Sequence, residues 1–323
     1  MRLATRMAAL AIALLLGMAP LARAQDAAKQ PEKVQFLRVQ RDERQRPVTL
    51  ETSIVRYQTQ PADGQKPVIV ELISAVHVGD KTYYKQLNKE FEQYEVLLYE
   101  LVAPEGARVP KGANSGHPVG AMQNGMSEML ELEHQLKIVD YGKKNFVHAD
   151  MSPDEFSKSM ADRDESLLKM MFKSMGYSMA KQSERGKQGN DLGLMLAFFS
   201  NDRALALKRA MAEQFENVDG QLALFGGPDG STIITERNKK ALEVLAKQIE
   251  AGKTNIGIFY GGGHMPDMEE RLIKEFKMIR LDDHTRWLVA WDMKSSKPKS
   301  RTSDRPEGKQ KEQAKPKEKA AAK

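Results

Sequence analysis

Asn255-Ile256-Gly257-Ile258-Phe259-Tyr260-Gly261-Gly262-Gly263-His264-Met265-Pro266-Asp267-Met268 is the stretch whose reading decides the fold. An apolar run of buried type stops at three glycines, presents a histidine and resumes at a proline. The pattern predicts a strand, a tight turn and the first turn of a helix, with proline at a position that needs no N–H donor. Open α/β sheets hold their ligands at such strand ends, and glycines let a backbone or a ligand approach closely. His264 is therefore expected at a mouth and not in a core. A second unit of the same kind lies far upstream, Val68-Ile69-Val70-Glu71-Leu72-Ile73-Ser74-Ala75-Val76-His77-Val78-Gly79. Two histidines at two strand ends outline a metal or acid–base site.

The chain has 323 residues and no cysteine. Disulfides, thiolate zinc sites and a cysteine nucleophile are excluded. Residues 1–24 read as a secretory signal: Arg2 and Arg6, a short apolar stretch, and Ala22-Arg23-Ala24 before a cleavage point. A periplasmic or secreted location follows as an expectation. Residues 294–323 are rich in Lys, Glu, Pro and Ala and have the composition of a solvated, disordered tail. From Lys297 onward that tail carries +6; with the three arginines of the leader it leaves −3 of the overall +6 on residues 25–296. The basic character belongs to the ends, and no specific nucleic-acid partner is expected. No transmembrane helix is expected in the mature chain.

Residues 25–47 read as a flexible lead-in and 48–293 as one catalytic domain. Val48–Tyr57 and Val68–Val76 predict a β-hairpin across the Pro61-Ala62-Asp63-Gly64 turn. A helix from Asp80 to about Tyr94 and a strand at 96–101 complete a strand–helix–strand unit, whose crossover implies parallel strands. Residues 103–216 predict a large helical insertion. It begins with a Gly/Pro-rich loop at 103–125, continues with a helix from Ser127 to about Val139 and a short strand at Asn145–His148, and has a strong helix start at Ser152-Pro153. Met160, Met170, Met171, Met175, Met179, Met195 and Met211 read as adaptable core. A helix from Ser231 to Ile249 leads into strand 254–260. The helix from Pro266, strand 277–281 and an alternating strand at 285–291 then follow. The fold class is α/β, with a central mixed sheet built from two related strand–helix–strand halves.

Glu100 interrupts the apolar strand Val96–Leu101, so its charge must be paired, hydrogen-bonded or metal-bound. If strands 68–76 and 96–101 are neighbours, Glu100 and His77 share a sheet edge. Two histidines and a carboxylate around an opening suit a divalent transition metal with positions left for water, and such an ion supports hydrolysis. Each residue also has an ordinary explanation: Glu71 and Glu100 as internal ion pairs, Arg237 as a surface helix residue, His77 as a satisfied strand-end histidine. His148 and Asp150 form a weaker third cluster. His117, His134 and His284 read as solvated.

These residues resemble the TraB/GumN/Tiki family in order and spacing. Gly261-Gly262-Gly263-His264-Met265-Pro266 is similar to the second G-x-x-H motif of that family, Tyr99-Glu100-Leu101 to its glutamate strand, and Glu236-Arg237-Asn238 to its arginine helix. Ser74-Ala75-Val76-His77 departs from the first motif by having serine where glycine stands. The resemblance implies a metal-dependent, peptidase-like hydrolase acting on a peptide or small carbonyl substrate. It implies His77, Glu100 and His264 as ligands of a divalent metal (manganese or cobalt, with zinc possible), Arg237 as support for the substrate, and Gly261, Gly262 and Gly263 as the lining beside the bound group. Two other readings stay open on the residues alone. One is a non-catalytic binder of haem, iron or an anion at the glycine turn; the other is a metal-free esterase with a histidine base and Glu100 as its partner.

Overall fold

The computed structural model describes residues 34–60, 66–104, 128–166, 199–215 and 230–294, with residues 64, 106, 107, 169 and 197 besides. The expected leader and tail, His117 and Met170–Met195 lie outside the described residues. The elements in chain order are β1 (Leu37–Arg41), β2 (Pro47–Gln58), β3 (Ile69–Ala75), β4 (Val78–Gly79), α1 (Lys81–Glu90), β5 (Val96–Tyr99), β6 (Glu133–His134), β7 (Phe146–His148), α2 (Pro153–Asp162), α3 (Arg203–Phe215), α4 (Arg237–Glu250), β8 (Asn255–Gly261), α5 (Met265–Lys274) and β9 (Ile279–Asp292).

The protein is α/β, with a central seven-stranded mixed sheet. Strands β3, β8, β5 and β7 run parallel in that spatial order. Their sequences are near-continuous apolar runs, as burial on both faces demands. β2 joins antiparallel to β3 through the expected hairpin. Thr52 pairs with both Leu37 and Leu288, and Ile54 with both Ile73 and Arg286. A strand has two edges, so β1 and β3 lie end to end along one edge of β2 while β9 lies along the other. Phe259, Ile73 and Leu97 share a core with Tyr83, Leu87 and Phe91 from α1 and its following turn, and with Leu207 and Ala212 of α3. α4 packs on β5 and α5 on β3. Among the described residues no helix is long and apolar enough to cross a membrane.

Several expectations need correcting. The lead-in is not wholly irregular, because β1 occupies Leu37–Arg41. β3 and β5 are not neighbours: β8, from near the end of the chain, lies between them. Periodicity encodes which faces of a strand are buried and says nothing about which strand lies beside it. The short strand expected at Asn145–His148 within the 103–216 insertion is present as β7, and it extends the sheet beyond β5. No continuous helix spans 127–139. Glu131 adopts φ 52°, which breaks a helix, and β6 pairs with β4 instead. The two final strands are one, β9; between the pairs Ile54–Arg286 and Arg56–Leu281, Val55 alone of β2 faces four residues of β9, Asp282–Thr285, which bulge to take up the excess.

Gly257, in the middle of β8, marks a close approach. A Cβ there would stand 2.6 Å from Leu97 Cδ1 and 3.0 Å from the Tyr94 ring. Gly257→Ala is expected to lower the unfolding free energy by about 1–3 kcal/mol through overpacking. Urea denaturation at unchanged m-value reads this, and wild-type stability would contradict the packing described.

Candidate functional site

Four parallel strands end at one edge of the sheet, and each delivers a polar residue just past its last pair. His77 follows β3, Glu100 follows β5, Asp150 follows β7 and His264 follows β8. Arg237 reaches in from the start of α4. The His77 Nε2, Glu100 Oε2 and His264 Cδ2 atoms stand 3.8, 3.3 and 3.8 Å from the point where a Cβ on Gly261 would lie. A Cβ at Gly261 would only crowd Glu100 slightly, and its φ of −55° is open to any residue. At Gly262 a Cβ would meet Leu37 Cδ1 at 2.9 Å and Ser74 Oγ at 3.0 Å. The turn is thus packed directly on β1 and on the end of β3.

Glu100 is the hub. Its Oε1 accepts from Arg237 Nη2 at 2.8 Å and its Oε2 accepts from the Gly261 N–H at 2.6 Å. Gly261 therefore gives its amide to the protein's own carboxylate and not to a bound group. Burial opposes the charge on Glu100, but the facing His264 and the Arg237 guanidinium outweigh it and hold the carboxyl well below the usual range. Arg237 also grips Asp150 side-on, through Nε at 2.9 Å and Nη2 at 2.5 Å. Burial alone would weaken the cation; Glu100 and Asp150 raise its affinity for the proton instead. Nη1 has no hydrogen-bond partner among the described residues. Because the guanidinium is planar, its Nη1–H runs parallel to the Nη2–H that reaches Glu100, so it is aimed alongside that carboxylate.

The His264 ring is oriented by Asn238. The Asn238 Nδ2 donates to the His264 carbonyl at 3.0 Å and to Asp267 Oδ2 at 2.8 Å. Its Oδ1 therefore faces the ring and accepts from Nδ1–H at 2.7 Å. When the ring is neutral this makes Nε2 its unprotonated nitrogen, 3.5 Å from Glu100 Oε1; when the ring is charged the two form an ion pair. Two donors that bind one ion at about 2.1 Å with a tetrahedral angle stand roughly 3.4 Å apart, so His264 and Glu100 fit as a ligand pair. Among the described residues no three His, Asp or Glu side chains are grouped closely enough to hold one ion; His77 stands on the rim, outside that pair. With neutral imidazoles, Glu100, Asp150 and Arg237 sum to one negative charge, which a cation complements.

His77 is exposed, yet its backbone is fixed. Tyr83 Oη donates to the Ser74 carbonyl at 3.4 Å, Tyr84 Oη to that of Val76 at 2.8 Å, Gln135 N–H to that of His77 at 2.9 Å and Trp291 Nε1–H to that of Val78 at 2.8 Å. His134, read from sequence as solvated, is buried beside this rim. Its Nδ1 accepts from the Leu136 N–H, and burial followed by the nearby His77 lowers its affinity for a proton. His148 and Asp150 part company: His148 Nε2–H donates to the Leu101 carbonyl at 2.6 Å and braces the strand end. His284 is exposed on the β9 bulge beside Asp283. Glu71 is buried and structural, taking Arg56 at 2.7 Å, Arg286 at 2.7 Å and the Tyr94 hydroxyl. Sequence reasoning quoted Asn238 within the Glu236-Arg237-Asn238 motif without giving it a role, and it missed the role of Asp267, whose only sequence signal is its spacing of three from His264.

Comparison of the chain with protein-family models, with curated proteins and with solved structures finds no match in any of the three.

Arg237→Ala is expected to destabilise the protein by about 3–5 kcal/mol, because it strands buried Asp150. Thermal and chemical unfolding measure this, and a loss below about 1 kcal/mol would contradict a buried pair. The depressed Glu100 carboxyl adds a pH dependence. Its stabilisation is complete above the ordinary carboxylate pKa of about 4.3 and declines as pH falls through its lower folded value. The stability difference between wild type and Glu100→Gln should stay flat from neutral pH to about pH 5 and shrink below about pH 4. A difference that grows on acidification would show the carboxyl is not held ionised.

Proposed function

We propose that this cleft hydrolyses an acyl bond of the peptide type with the help of a divalent cation. The observation that carries the reading is the His264–Glu100 pair: Asn238 holds a proton on Nδ1, so the neutral ring offers Nε2 as a ligand atom 3.5 Å from Glu100 Oε1, and a cation between them relieves the repulsion of the two electron pairs. His264 through Nε2 and Glu100 through its carboxylate would hold the ion, and His77 would join from the rim. When bound, such an ion lowers the pKa of its water and polarises a carbonyl. The chain supplies the rest. Arg237 keeps Glu100 ionised, and its Nη1–H, which has no partner among the described residues, is directed beside that carboxylate, where a carbonyl oxygen gathering negative charge would meet it. Asp150 holds the guanidinium in that orientation through a two-point contact. His77, exposed at the opening, is the residue an entering chain meets first. The likeness of the Gly261–Pro266, Tyr99–Leu101 and Glu236–Asn238 segments to the TraB/GumN/Tiki family supports the same chemistry and the assignment of manganese, cobalt or zinc. A periplasmic or secreted setting fits the leader-like segment at 1–24.

One observation favours a second reading. Both Glu100 oxygens already carry hydrogen bonds and His77 stands apart from the His264 pair. In that case His264 Nε2 takes the proton of an attacking water with no metal, and Glu100 steadies the imidazolium.

The test is metal content by mass spectrometry, together with hydrolysis of a peptide library by the purified protein. Wild type is expected to carry or take up manganese, cobalt or zinc and to lose activity in chelator. His264→Ala should lower kcat by at least about a hundredfold and abolish uptake, with the melting temperature kept within a few degrees. Activity that survives chelator selects the metal-free reading; equal metal uptake and activity in both proteins would end both.

A further inference from the structure

We propose that Asp267 is a positioning residue that sets which nitrogen of His264 carries the proton, acting through Asn238. The inference rests on the reading of His264 as a site residue and adds a group to the machinery that does not touch a substrate.

The geometry forms one chain. Arg271 Nε donates to Asp267 Oδ2 at 2.9 Å, with Nη2 near Oδ1 at 3.4 Å. Asp267 Oδ2 accepts from Asn238 Nδ2 at 2.8 Å. Asn238 Oδ1 accepts from His264 Nδ1–H at 2.7 Å, and the opposite ring nitrogen faces Glu100. His264, Asp267 and Arg271 are three and four residues apart, so they share one face of the helical segment running into α5. Asn238 is fully buried and presents that α5 face to the ring from α4.

An amide can rotate by half a turn and exchange its oxygen for its NH2 group. Only the surroundings decide which end faces the ring. If Asn238 turned over, its oxygen would face the Asp267 carboxylate and the His264 carbonyl, three acceptors with no proton among them. Asp267, a charge braced by Arg271, is the stronger of the two groups forbidding this. With the amide locked, Nδ1 must carry a proton, so in the neutral ring Nε2 is the bare nitrogen. A bare Nε2 can bind a cation or take a proton; a protonated Nε2 can do neither. Asparagine at 267 offers a donor as well as an acceptor, so it can satisfy either orientation of Asn238 and removes the lock without removing volume.

The experiment is proton–nitrogen correlation NMR on protein labelled with 15N in its six histidines, above pH 7.5, with the His264 signals assigned by their absence in His264→Gln. Cobalt titration by absorbance or calorimetry is run on the same samples. Wild type is expected to show His264 protonated at Nδ1. Asp267→Asn should move His264 toward the Nε2-protonated pattern and weaken cobalt binding by roughly 10–100-fold, the range for loss of an outer partner of a ligand. Asp267→Glu should keep the wild-type pattern. Asp267→Ala serves if Asp267→Asn fails to fold, with the same shift expected. A wild-type His264 protonated at Nε2, or an unchanged Nδ1 pattern in folded Asp267→Asn, overturns the proposal. If wild type binds no cobalt and hydrolyses nothing, the hydrolase reading fails, while the NMR patterns still decide the role of Asp267.

Discussion

Two buried carboxylates share one guanidinium, and most of the cleft is a consequence of that arrangement. Glu100 and Asp150 come from β5 and β7, parallel neighbours in the sheet. Isolated, each would be costly in a dry interior. Arg237 answers both at once, with a side-on grip on Asp150 and its remaining Nη2–H on Glu100. The Gly261 amide completes the solvation of Glu100. One positive charge against two negative ones leaves the cluster unbalanced, and the side chain facing the imbalance is the imidazole of His264. The residual negative charge of the cluster favours a cation over an anion at this point. Partial neutralisation also explains why Arg237 belongs to this site and not to the surface: its partners are fixed before any ligand arrives.

The surroundings divide into a rigid base and a single exposed ring. The carbonyls of Ser74, Val76, His77 and Val78 each accept a hydrogen bond from a buried partner, and three of those donors are the hydroxyl or indole groups of buried aromatic side chains. Large aromatics lose little rotamer freedom when they are packed this way, so they hold a backbone at modest entropic cost. Tyr260, whose ring packs edge-on against His264 at 5.1 Å, ties β8 to the Ala149 carbonyl beside Asp150. His77 alone projects to solvent from this base. The frame around His77 is therefore fixed by its own hydrogen bonds, independently of anything the exposed ring meets.

Much of this was visible in the residues. The breaks in apolar runs at His77, Glu100 and His264 follow from the chemistry of strand ends, and the hairpin and the β3, β5 and β8 segments follow from their composition. Strand order was not legible, because insertion of β8 between β3 and β5 leaves each strand's own pattern unchanged. β1 escaped notice since its exposed and half-buried residues lack a clean alternation. Asp150 was singled out together with His148, yet only one of the two faces the cleft; sequence adjacency cannot say which side of a strand end a side chain leaves. The roles of Asn238 and Asp267 were invisible for a different reason. They lie in the direction of an amide, which no spacing records. His134 read as solvated because its neighbours are glutamates, whereas β4 pairs with it and covers it.

The insertion of β8 bears on how the chain is made. Ile69 pairs with Asn255 and Val96 with Ile256, so the middle of the sheet is supplied almost last. A nascent chain that has emerged only to residue 254 holds both flanks and no centre, with β3 and β5 presenting unsatisfied backbone edges to each other across a gap. Contacts so distant in sequence close slowly, and until they close the apolar strands remain available to other chains. The sheet can therefore close only once residues 255–261 are available to fill its centre.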